Sequence, residues 1–84
     1  MLNSKDSTEM KARLARIEGQ LRGLQRMISE DDADCEKIAQ QMTAARKALD
    51  KAAHTMLACM VQQQIDDGGA GEVLDIEKLI SKYA

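Results

Sequence analysis

Residues 35–65 read CEKIAQQMTAARKALDKAAHTMLACMVQQQI, a run with neither proline nor glycine. Its apolar and small residues fall at Cys35, Ile38, Met42, Ala45, Leu49, Ala52, Met56 and Cys59. This 3-4-3-4-3-4-3 spacing is an unbroken heptad seam and predicts one long helix. At 1.5 Å of rise per residue that helix spans about 45 Å, and its two thiols stand roughly 36 Å apart. They cannot meet within one helix. An antiparallel copy crossing near Lys47 brings Cys35 of one chain opposite Cys59 of the other, so any chemistry shared by the two thiols requires a dimer.

Outward from this run, the chain is short and helix-forming throughout. Eighty-four residues make one small domain, 1–84, with Tyr83 the sole aromatic residue and no proline. Ala, Leu, Met, Gln, Lys, Arg and Glu dominate, which argues for an all-α protein and against a β-sandwich. So long a central helix leaves too little chain to cover it, and self-association is the expected remedy.

A first helix is predicted over Thr8–Ser29, capped by Ser7 or Thr8. Met10, Leu14, Ile17, Leu21, Leu24 and Ile28 give it a second heptad seam. Gly19 and Gly23 lie inside it, at a cost of about 1 kcal/mol each relative to alanine. Two helix glycines four apart predict a face where another backbone comes close. Residues 29–34, SEDDAD, make a tight turn with Asp32 or Asp34 capping the next helix, which puts Cys35 in that helix's first turn. After Gln62–Gln64, the sequence DDGGAG at 66–71 breaks the long helix. A short third helix from about Glu72, with Val73, Ile76, Ile80 and Tyr83 as its stripe, docks back on the others.

The net charge is −2, but it is unevenly spread. Between Lys5 and Arg26 six basic residues face three acidic ones, a local excess of +3. Arg13, Arg16 and Arg22 have few acids between them, and Lys47, Lys51 and His54 form a further basic row off the cysteine seam. A basic face on an acidic protein is the electrostatic footprint of nucleic-acid contact; a merely solvated face is the bland alternative. No signal peptide or membrane-length apolar run is present, and two cysteines without a secretory signal point to a reducing cytoplasm and to reactive or metal-binding thiols. There is no catalytic constellation: the one histidine, His54, lies 19 residues of helix from Cys35. Two thiolates and the thioether of Met60, next to Cys59, would be a soft donor set suited to Cu(I). Buried cysteines acting as small apolar residues are the simpler alternative.

The stretch RLARIEGQLRGLQRMI at 13–28, the acidic turn ending in Asp34-Cys35, and QMTAARKALDK at 41–51 resemble the CsoR/RcnR/FrmR family of bacterial metal-, sulfur- and formaldehyde-responsive repressors over nearly the whole chain. The resemblance implies a three-helix protomer, an antiparallel four-helix-bundle dimer and a dimer of dimers. It implies a DNA-binding repressor, not an enzyme, with operator contacts at Arg13, Arg16 and Lys51 and a sensing thiol at Cys35. The family's further sensing positions near the end of helix two hold Met60 and Gln64 here instead of the His and Cys of the copper sensors. Met60 also replaces the His of the nickel/cobalt and formaldehyde sensors, and Leu2 replaces the latter's Pro. The persulfide sensors' second Cys is absent at Gln64, and this chain's second Cys stands at 59. The expectation is therefore a cytoplasmic homotetrameric repressor released by thiol chemistry at Cys35 with Cys59 of the partner protomer. The alternative is a Cu(I) sensor using Cys35, Cys59 and Met60; a formaldehyde sensor and a helical assembly module without DNA follow behind.

Overall fold

The computed structural model describes residues 2–66 and 73–83, and side chains in the second segment from Glu77 onward. All regular structure among the described residues is helical: α1 (Ser4–Ser29), α2 (Cys35–Asp66) and α3 (Val73–Tyr83). The expected turn at 66–71 lies, from Asp67 on, outside the described residues, as do the side chains of Val73 and Ile76.

α1 begins four residues before the expected Thr8 because Asn3, not Ser7 or Thr8, is its cap. The Asn3 carboxamide oxygen accepts from the Asp6 amide at 2.8 Å. Thr8 is inside the helix, its hydroxyl donating to the Ser4 carbonyl at 2.9 Å. α1 ends at Ser29 as expected, where the Glu30 amide turns back to the Met27 carbonyl. Of the two acids proposed to start α2, Asp34 does so: its carboxylate accepts from the amides of Glu36 at 3.0 Å and Lys37 at 3.3 Å. Those amides have no partner within the helix, and the side chain supplies one.

α1 and α2 form an antiparallel hairpin, and packing divides each heptad seam into two edges. Met10, Ile17 and Leu24 of α1 are buried against α2, whose contribution is Ala45 and Ala52. Large side chains on one helix meet small ones on the other, so the axes can approach. Of the other seam residues, Ile38 and Cys59 are half-buried, whereas Leu14, Leu21 and Ile28 with Met42, Leu49 and Met56 are exposed, from 40% at Leu14 and Met56 to 55% at Ile28. On ideal helices both sets turn toward the same face of the hairpin, which therefore carries a continuous apolar strip.

The protomer is one helix thick. Its extents are 58 × 28 × 13 Å, and a helix with side chains is roughly 10–12 Å across. The radius of gyration is 17.4 Å, against about 12 Å for a compact domain of this length. The accessible surface is 6743 Å², against roughly 5,000 Å² for a compact monomer of this mass. A single layer of helices has an inside only along its seam.

The glycine expectation is corrected within the protomer. A Cβ on Gly19 would meet nothing within 4 Å, and one on Gly23 only the tip of Arg26 at 3.8 Å. No described backbone of this chain outside α1 comes within 4 Å of either added Cβ, although Gly23 is half-buried where Gly19 is exposed. α3 touches α2, with Tyr83 bordering a mostly apolar hollow formed with Ala53, Met56, Leu57 and Met60. Ile80 and Tyr83 nevertheless remain 42% and 57% exposed. Among the described residues no helix is long and apolar enough to cross a membrane.

Candidate nucleic-acid interface and sensing thiols

Opposite the apolar strip, the hairpin carries a basic cleft of about 290 Å³ between Arg13, Arg16, Ile17 and Gln20 of α1 and Ala48 and Lys51 of α2. Of its apolar lining, Ile17 is buried and Ala48 half-buried. Arg13 and Arg16 flank Ile17 on α1, and Lys51 adjoins the buried Ala52 on α2, so one packed layer brings three cations from two helices together. Lys47 and His54 are exposed on the same side of α2 as Lys51. Arg22 is exposed further along α1, in a shallow hollow with Arg26 and Glu30.

Arg13 reaches across the hairpin. Its Nη1 donates to Thr55 Oγ1 at 3.2 Å, and that hydroxyl donates to the Lys51 carbonyl at 3.2 Å. Thr55 has no place among the candidates read from the sequence. The available signal was its position four residues after Lys51, one helical turn along the same side.

The cysteines are separated as expected and also rotated apart. Cys35 is exposed in the first turn of α2. Cys59 is half-buried and borders a groove of about 460 Å³ at the open end of the hairpin, with Asp6, Glu9, Met10 and Arg13 of α1. Cys59 thus belongs to the inner edge with Ala45 and Ala52, whereas Cys35 continues the outer edge of Met42, Leu49 and Met56. An ideal helix turns 100° per residue, so residues 35 and 59 differ by about 120° around the axis. Met60 differs from Cys35 by only about 20° on the same basis. The residue sharing the edge of Cys35 is therefore Met60.

Among the described residues no three His, Cys, Asp or Glu side chains converge as a metal site. The Cu(I) set of Cys35, Cys59 and Met60 is soft enough for that ion. Its members lie at opposite ends of one 32-residue helix, so it can close only between protomers.

A family model described as "Metal-sensitive transcriptional repressor" matches residues 6–82. The chain is 33% identical over 88 residues to the copper-sensing transcriptional repressor CsoR of Bacillus subtilis (strain 168), covering 95% of this chain and 86% of that protein. No solved structure matches it. The helical hairpin and the match along nearly its whole length agree: this chain belongs to the CsoR family of metal-sensitive transcriptional repressors, which are not enzymes.

Proposed function

We propose that this protein is a cytoplasmic, homotetrameric repressor that grips operator DNA with Arg13, Arg16 and Lys51 and lets go when Cys35 is chemically changed. The observation that carries the reading is the two-faced hairpin. One face is an apolar strip headed by the exposed Cys35, and the other is a basic cleft drawn from both helices. Two protomers joining through their apolar strips leave both basic clefts outward, and Cys35 lies at the seam between them. A reaction at Cys35 then alters how protomers sit and hence the spacing of the basic clefts. Thiol chemistry is the leading signal: a reactive sulfur species, an oxidant or an electrophile, with Cys59 of the partner protomer as second thiol.

The second reading is Cu(I), held by Cys35 of one protomer with Cys59 and Met60 of the other. It is favoured by the B. subtilis relative, a copper-sensing repressor, and by Met60 sharing the edge of Cys35. One experiment addresses both. Reduced, metal-free protein is used to select duplexes from a random-sequence pool, and binding is followed on adding a persulfide donor, a mild oxidant or Cu(I). The expected result is tight binding that one of these reagents reverses, and no reversal in Cys35→Ala. Failure to select any duplex overturns the DNA reading; reversal unchanged in Cys35→Ala overturns the sensing role.

A further inference from the structure

Arg13 stands between two hollows of opposite character. On one side is the basic cleft with Arg16 and Lys51. On the other is the groove of Cys59, where Asp6 and Glu9 of α1 and Asp66 of α2 supply carboxylates. Glu9 precedes Arg13 by four residues, the arrangement in which a glutamate and a following basic residue pair along a helix. The structure shows Arg13 bonded across the hairpin to Thr55 instead.

We propose that Thr55 is a positioning residue for DNA contact: its hydroxyl holds the Arg13 guanidinium away from Glu9 and fixes it beside Arg16 and Lys51. This rests on the assignment of the basic cleft to DNA. The polarity of the bond is determined. A threonine hydroxyl has one hydrogen, and Thr55 gives it to the Lys51 carbonyl, so a lone pair faces Arg13. A guanidinium can only donate, and with one of its five N–H groups used it keeps four for phosphate oxygens. The chain Arg13 N–H to Thr55 O–H to the Lys51 carbonyl ties a cation of α1 to the turn of α2 that carries another. The bond back to the Lys51 carbonyl, open to a serine hydroxyl as well, orients the acceptor oxygen. The three cations then meet the sugar–phosphate backbone as a preset group, and less side-chain freedom is lost on binding.

The test measures affinity, by fluorescence anisotropy at one fixed salt concentration, for a duplex selected by the wild-type protein from a random pool. Thr55→Val, which keeps the shape and removes the hydroxyl, is expected to weaken binding roughly three- to tenfold. Thr55→Ser should bind as wild type. In an Arg13→Ala background Thr55→Val should have no further effect, because the hydroxyl acts through Arg13. Adding Glu9→Gln to Thr55→Val should recover part of the loss by removing the competing carboxylate. Thr55→Ala repeats the test with the best helix former, and nitrogen NMR of the DNA-free protein should show the Arg13 side chain ordered in wild type and mobile in both variants. An ordered Arg13 in Thr55→Val and Thr55→Ala, an equal loss in the Arg13→Ala background, or wild-type affinity in both Thr55 variants while Arg13→Ala binds weakly, each overturns the role of Thr55. Wild-type affinity in Arg13→Ala overturns the DNA assignment on which it rests.

Discussion

Cys35 and Cys59 stand on different edges of α2: Cys35 is exposed at the head of the outer edge, and Cys59 is half-buried toward α1. In the dimer proposed above, an antiparallel partner helix lying on the outer edge would face Cys35 with the side of its own α2 that carries Met60. The heptad seam made residue 59 the counterpart of residue 35, whereas the edge makes it residue 60. A direct disulfide needs Cα atoms within about 7 Å, and a polysulfide or a bridging metal relaxes that limit.

The paired-thiol mechanism requires Cys59 to reach Cys35 of the partner from the neighbouring edge, and that requirement makes a sharp prediction. Oxidant or persulfide treatment should join two protomers through Cys35 and Cys59, giving a dimer on non-reducing electrophoresis and a linked species by intact mass. Cys59→Ala should abolish the link and blunt DNA release. If Cys59→Ala responds in full and no linked species forms, Cys35 senses alone.

Reversing the charge of Arg13 or Lys51 to Glu should remove operator binding while sedimentation shows an unchanged oligomer. Milder Arg13→Ala or Lys51→Ala variants should bind more weakly. Each should also flatten the plot of log affinity against log salt by about one unit for every phosphate left without its cation. An unchanged slope and affinity in Arg13→Glu would remove this cleft from the interface.

The exposed apolar strip should hold protomers together. Burying a Leu side chain fully is worth about 1.5–3 kcal/mol, and a charge placed there must instead be desolvated. Leu21→Glu or Leu49→Glu, both about half-exposed in the protomer, should shift sedimentation toward monomer at micromolar concentration. Wild-type protein sedimenting as a stable monomer would contradict the role of the strip.

Two helix substitutions report on local structure. Gly19→Ala should stabilise the protomer by up to about 1 kcal/mol, since the added methyl meets nothing within 4 Å. Asn3→Ala should cost about 1 kcal/mol through loss of the α1 cap. Thermal or urea unfolding measures both; a destabilising Gly19→Ala would show that another molecule approaches that face in the oligomer.

The three helices, the acidic turn with Asp32 or Asp34 as cap, the cationic character of α1 and the place of Cys35 in a first helical turn were legible in the sequence, because each depends on neighbours within a few residues; that Asp34 is the cap and that Cys35 is exposed came from the structure. The start of α1 was read four residues late because Asn3, Ser7 and Thr8 are all competent caps, and local chemistry alone does not rank them. What tertiary structure decided was which half of each seam faces inward. A 3-4 seam contains two edges roughly 50° apart, and a straight helix drifts about 20° per heptad from a strict seven-residue repeat. Cys35 and Cys59 therefore look aligned in sequence and separate on the helix. The bond between Arg13 and Thr55, 42 residues apart, was likewise beyond any local pattern. That bond exists only because α1 and α2 pack side by side, which brings residues of two helices within hydrogen-bond reach.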